Sequence, residues 1–193
     1  MDWEWLDERP IIVAIAGSNG AGKTTFYQSH IAPAGLRFIN ADDLAKQLNI
    51  GAYEASAVAD NIRRELVRQG ESFAFETVFS DPVGDKVAWL KETSDAGINV
   101  VLCFIGIPDP DTSDQRVGMR VSQGGHDVPP EKVKSRFPRT LANLKLAIAE
   151  LPRVIVFDNS DLAEPYKRVA IFNHGEPAEL ASPSPQWLKD VLN

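Results

Sequence analysis

Short apolar runs bounded by turn formers alternate along this chain with stretches whose apolar residues recur at helical spacing. The run PIIVAIA reads as a buried strand, and residues 23–31 as the helix that follows it. LRFIN (36–40) and FAFE (73–76) are the next two strand signals. Between them, residues 53–68 read as a helix, with Ala57, Ile62, Leu66 and Val67 mostly on one face and Arg63, Arg64 and Glu65 off it. Residues 82–96 follow as a helix, with Pro82 in its first turn and Gly97 as its stop. The most hydrophobic run, residues 98–107, belongs at the centre of a sheet. RVIVFD (153–158) is a fifth strand and RVAIFN (168–173) a weaker sixth. Strands separated by helices build βαβ units. The expected fold is therefore α/β, with a mostly parallel sheet of five or six strands flanked by helices, in one domain over residues 1–193.

Two stretches depart from this alternation. Residues 109–139 are rich in turn formers and arginine, and they form an insert between two core strands. They read as a mobile, arginine-bearing lid over the carboxyl edge of the sheet, where open α/β folds bind ligands. Residues 176–193 are punctuated by proline and serine and read as a tail ending in a short helix over 185–192.

Composition narrows the partners. The 193 residues are 44% hydrophobic and 24% charged, with a net charge of −7. That balance disfavours general nucleic-acid binding, which needs a basic patch or stripe. The single cysteine, Cys103, sits in the apolar run NVVLCFIGI, so it forms no disulfide within the chain and reads as a core residue. MDWEWLDERP has no basic segment leading into an apolar one, and no apolar run approaches the length of a bilayer span. The expectation is a cytoplasmic protein without a membrane partner.

Chemistry enters with GSNGAGKTT, residues 17–25, directly after the first strand. Gly17, Gly22, Lys23 and Thr24 satisfy the phosphate-loop pattern in its strand–loop–helix setting. Glycines let backbone N–H groups of Ser18, Asn19, Gly20, Ala21 and Thr25 turn inward toward phosphate oxygens at a positive helix end. Lys23 reaches the outer phosphates and the Thr24 hydroxyl is a Mg²⁺ ligand. The expected fold is thus of the P-loop NTPase type, with ATP and Mg²⁺ as cofactors.

Asp42, in FINADDL, follows the second strand. It is placed either to take a proton from an attacking hydroxyl or to cap the helix over 41–48. Glu76 closes the third strand, where it can bind a substrate hydroxyl or help hold Mg²⁺, with the Thr77 and Ser80 hydroxyls nearby. Arg116 and Arg120 are spaced i, i+4, and Arg136 follows in the same insert; arginines of this kind neutralise transferring phosphate. His126, between Gly125 and Asp127, reads as a loop-shaping or substrate-contacting residue, with no partner ligands for a metal. The strand VVLCFIGI ends without the acid that a motor-type ATPase uses to hold Mg²⁺. Acids after the second and third strands suit a kinase for a small acceptor better than a hydrolysing switch.

With these residues together, the chain resembles the zeta-toxin family of P-loop kinases. The resemblance runs over residues 11–160 and rests on GSNGAGKTT, FINADDLA, FAFETVFS, RVGMRVSQGGHDVPPEKVKSRFPRTLANLKLAI and VFDNS. It implies ATP-dependent phosphorylation of a hydroxyl, which in toxin members belongs to the sugar of UDP-N-acetylglucosamine. It also implies Asp42 as catalytic base, Lys23 and Thr24 on phosphates and Mg²⁺, and Glu76 on the acceptor. Arg120, with Arg116 or Arg136, would neutralise phosphates, and a toxin role implies an antitoxin partner. Toxin members often carry a hydroxyl residue two positions after the strand-end glutamate; here that position is Val78 and threonine stands at 77. The segment between FINADDLA and FAFETVFS is short for a sugar-nucleotide pocket. The rival readings are a kinase for another metabolite or for a nucleic-acid 5′-hydroxyl, and a switch that binds nucleotide without transferring phosphate.

Overall fold

The computed structural model describes residues 3–122 and 128–193. At its centre is β1 (Ile11–Ala16), whose six residues are all fully buried. Parallel neighbours β3 (Phe73–Thr77) and β4 (Asn99–Gly106) flank β1 on its two edges. Outside them lie β2 (Arg37–Ile39) and β5 (Arg153–Asp158), also parallel, and then β6 (Lys167–Asn173) and β7 (Glu176–Leu180), both antiparallel. The order is β2-β3-β1-β4-β5-β6-β7. The mostly parallel α/β arrangement matches the sequence expectation, with one strand more.

The additional strand is β7, inside the segment read as a tail. All five of its residues are exposed and one is Pro177, so it carries no apolar alternation to announce a strand. Only the edge of a sheet tolerates such a sequence. A two-residue turn at His174 and Gly175, with φ of 49° and 83°, folds it back on β6. Positive φ at both turn positions matches the twist of an antiparallel pair.

Helices cover both sheet faces, which is why the central strands read as continuous apolar runs. One face buries Ile12, Ala14, Phe73, Phe75, Leu102 and Phe104 beneath α3 (Ala52–Arg68), α4 (Asp85–Asp95), α6 (Pro130–Glu150) and α7 (Gln186–Leu192). The other buries Ile11, Val13, Ile15, Val101 and Cys103 against Phe26 of α1 (Lys23–Phe26) and Trp5 and Leu6 of an N-terminal turn. Each such aliphatic or aromatic side chain contributes about 1.5–3 kcal/mol when fully buried. Among the described residues no helix is long and apolar enough to cross a membrane.

Three local expectations change. The helix expected over 82–96 begins only at Asp85, because residues 82–83 form a turn and Gly84 takes φ 77° ahead of the first helical residue. In α3 the buried positions are Ala55, Ala59, Arg63 and Leu66, while Ala57 is exposed. The helix is therefore rotated from the expected face: two alanines add little apolar signal, and an arginine occupies a core-facing position. Finally, the described residues of 109–139 are largely helical. They supply α5 (Pro110–Ser122) and the start of α6, joined by an ion pair between Lys134 and Asp111 at 3.0 Å. Val117, Val133 and Phe137 are buried, so this part of the insert is packed into the core.

Two outcomes follow from this packing. A Cβ added at Gly106 would lie 2.1 Å from Cζ2 of the buried Trp187, whose indole N–H donates to Asp158 at 2.9 Å. Gly106→Ala is expected to lower Tm by about 5–10 °C in thermal unfolding, the cost of overpacking a filled site. Cys103 is fully buried, and burial pushes its thiol pKa well above the ordinary value. A disulfide reagent at about pH 8 should leave the native protein unlabelled and react with one thiol per chain after denaturation.

Candidate active site

The carboxyl ends of β1, β2 and β3 emerge at one edge because the three strands are parallel. Residues 17–22 leave β1 there, and Gly22 stands just before α1 with φ 91°. A side chain at Gly22 would meet Tyr166 Oη at 2.8 Å and Asn159 Nδ2 at 3.0 Å, so backbone conformation and space both require glycine. Tyr166 donates its hydroxyl to Gly22 O at 3.0 Å, and Asn159 donates Nδ2 to Ala21 O at 2.9 Å. From α5, the buried Ser113 donates its hydroxyl to Asn19 O at 2.6 Å. The phosphate loop is thus shaped from three distant parts of the chain. Lys23 folds back over it and donates Nζ to Gly17 O at 3.0 Å and Ser18 O at 2.9 Å.

Glu76, at the end of β3, is the junction of the site. Its Oε2 accepts the Thr24 hydroxyl at 2.8 Å and its Oε1 accepts Asn40 Nδ2 at 3.0 Å. Asn40 in turn caps α2 (Ala41–Leu48), its Oδ1 accepting Asp42 N at 2.8 Å. The capping position therefore belongs to Asn40, and Asp42 sits one residue into the helix with its side chain left for other use. Thr24 and Glu76 form a hard oxygen pair beside the phosphate loop, a donor set that fits Mg²⁺ completed by phosphate oxygens and water. Among the described residues there is no cluster of three or more His, Cys, Asp or Glu able to hold a metal ion alone.

A cleft of about 580 Å³ opens here, lined by Lys23, Thr24, Asp42, Glu76 and Thr77, with Arg136 facing it from α6. The loop after β3 forms one wall and is held in place by two buried side chains of α6. Thr140 donates to Val78 O at 2.9 Å, and Asn143 donates to Phe79 O at 3.0 Å and Asp81 O at 2.9 Å. The Thr77 hydroxyl accepts Phe79 N at 3.1 Å, so it supports this turn as well as lining the cleft. A second cleft of about 500 Å³ lies across the phosphate loop, sharing Gly20, Gly22 and Thr25 with the first.

Arg116 belongs to that second cleft, where its guanidinium donates to Asn159 O at 2.9 Å and Ser160 O at 3.2 Å. Two backbone carbonyls thus hold it on the side of the loop away from Asp42 and Glu76. Arg120 lies on α5, but its side chain is outside the described residues, and so is His126. Asp109, the first acid past β4, accepts Thr112 N at 2.7 Å with its carboxylate, as the first turn of α5 requires. Sequence reasoning missed Asn40, Asn159, Arg63 and Lys86. Asn159 stands in the VFDNS motif and Asn40 in FINADDL, where an amide after a strand reads as an ordinary turn former. Nothing in the local pattern marks the other two.

No family model matches the chain. A curated relative, an uncharacterized protein of Haemophilus influenzae (strain Rd), is 28% identical over 126 residues, covering 63% of this chain and 88% of that protein. A solved structure of the PezAT chromosomal toxin–antitoxin system of Streptococcus pneumoniae is similar with a TM-score of 0.62 at 13% identity, over 96% of this chain and 85% of that one. The AvrRxo1-ORF1:-ORF2 complex with ATP gives a TM-score of 0.62 at 19% identity, over 95% and 67%. A candidate kinase from Chloroflexus aurantiacus gives 0.56 at 17% identity, over 81% and 92%. At these identities the likeness is one of fold. The chain has the α/β fold of a toxin–antitoxin component and of an ATP-bound complex, which is the fold its motifs imply.

Proposed function

We propose that this protein is a P-loop kinase that transfers the γ-phosphoryl group of ATP to a hydroxyl of a small anionic acceptor. The observation that carries this reading is the pair of clefts meeting at the phosphate loop, with Asp42, Thr24 and Glu76 together on one side. In this reading the nucleoside occupies the Arg116 side and its triphosphate crosses the loop at Gly20 and Gly22. The acceptor enters the side lined by Asp42 and Arg136.

Lys23 then exchanges its two loop carbonyls for phosphate oxygens, and the Thr24 hydroxyl and Glu76 would hold Mg²⁺, whose charge would offset that of the phosphates. Asp42 accepts the proton of the acceptor hydroxyl as its oxygen bonds to the γ-phosphorus and the bond to the β-phosphate oxygen breaks, leaving ADP. Glu76 also orients that hydroxyl, and Arg120 with Arg136 offsets charge on the transferring group. UDP-N-acetylglucosamine is the first acceptor to test, on the strength of the motif resemblance. Two similar structures come from the PezAT toxin–antitoxin system and the AvrRxo1-ORF1:-ORF2 complex. They support extending the reading to a cognate antitoxin as protein partner.

The decisive measurement follows ADP release with ATP, Mg²⁺ and an acceptor panel headed by UDP-N-acetylglucosamine. Asp42→Asn is expected to lower kcat by about 10²–10⁴ while leaving ATP affinity within a few-fold. Acceptor-dependent turnover undiminished by that change would remove Asp42 from the chemistry. Gly22→Ala tests the donor side separately. Its Cβ would push Tyr166 and Asn159 off the loop, so calorimetry should show ATP binding weakened by about tenfold or more.

A further inference from the structure

The first cleft contains a second charged group for which phosphoryl transfer has no use. Arg63 on α3 and Lys86 on α4 both line it, and both donate to the same oxygen, Oδ1 of Asp60. Burial works against the Asp60 carboxylate, but the hydrogen bonds from Lys86 and Arg63 outweigh it and hold its pKa below the ordinary range. One ionised carboxylate therefore stands against two cations, which repel each other and leave a net positive charge.

Arg63 is 4% exposed and lies with its Cζ 4.7 Å from the centroid of the Phe75 ring. Its Nε is buried without a hydrogen-bond partner. A pair built only to join α3 to α4 would need one cation on Asp60, and it would not hold a buried guanidinium one donor short. Across the cleft, α6 contributes Lys132 and Arg136. Among the described residues the lining carries five cationic side chains against the carboxylates of Asp42, Glu76 and Asp81, with Asp60 a fourth carboxylate behind Arg63 and Lys86. Four of these cations stand on α3, α4 and α6, and only Lys23 belongs to the phosphate loop.

We infer that Arg63 and Lys86, gathered by Asp60, form an oxyanion subsite that binds a phosphate ester or carboxylate carried by the acceptor. A second anion relieves the repulsion between the two cations, and Arg63 supplies a rigid donor fork fixed by the Phe75 ring. The acceptor is then anchored by its anionic end while its hydroxyl is presented to Asp42. This inference rests on the reading of the first cleft as the acceptor side.

The test loads the protein with Mg²⁺ and AMP-PNP, so that the phosphate loop is occupied, and then titrates charged and uncharged probes by calorimetry. UDP-N-acetylglucosamine is paired with N-acetylglucosamine, glucose 6-phosphate with glucose, and gluconate serves as the carboxylate. At least one anionic probe should bind tenfold or more tightly than its uncharged counterpart. Arg63→Met, which keeps an apolar stem over Phe75, should weaken that probe about tenfold. Lys86→Met, at a more exposed position, should weaken it several-fold and serves if Arg63→Met fails to fold. Arg63→Lys should recover part of the loss. Binding of gluconate with the same Arg63 dependence assigns a carboxylate, and binding of the esters alone assigns a phosphate. The inference is overturned if both methionine variants keep the wild-type Kd for every anionic probe, or if no anionic probe binds the wild type. The AMP-PNP titration reports separately on the kinase reading: its failure sinks that reading, while Arg63-dependent anion binding would still uphold the subsite.

Discussion

Everything at the site depends on the double-sided burial of β1. With parallel partners on both edges and helices over both faces, no residue of Ile11–Ala16 touches solvent. A strand so enclosed can deliver chemistry only where it ends. Parallel pairing brings the ends of β2 and β3 to the same edge, with Ile15 opposite Glu76 and Ile39 opposite Phe75. The phosphate loop, Asn40 and Glu76 therefore meet because the sheet is parallel and its core strand is filled with aliphatic side chains.

Glu76 converts that meeting into a connected site. One carboxylate accepts from α1 through Thr24 and from the cap of α2 through Asn40, so the phosphate loop and the helix bearing Asp42 are positioned by the same group. The walls are fixed from further away: α6 holds the loop after β3 through Thr140 and Asn143, while Asn159 and Tyr166 brace Gly22 from beyond β5. This bracing also divides the space above the sheet into two clefts that meet at the loop, a geometry suited to a donor and an acceptor approaching from opposite sides.

Much of the fold was legible because central parallel strands must be apolar on both faces. PIIVAIA, the run over 98–107 and RVIVFD carry that signal without help from context. β7 was not legible, since an exposed edge strand containing Pro177 has no periodicity to read and forms only because β6 offers it a free edge. The face of α3 was misjudged for a related reason. Arg63 reads as a solvated residue until Asp60, Lys86 and Phe75 are brought around it from three elements, and only those contacts make its burial tolerable.

By itself, the sequence determined the α/β alternation and the position of the phosphate loop, together with the acids at 42 and 76. Each of these rests on local spacing: apolar period, glycine conformation, and a residue's place relative to a strand end. Tertiary structure decided what those residues touch. It gave the cap of α2 to Asn40, turned Arg116 onto the carbonyls of 159 and 160, packed the first part of the insert into the core, and buried Arg63 beside the cleft. Such outcomes depend on groups tens of residues apart competing for the same hydrogen bonds and the same space. No local pattern encodes the winner of that competition.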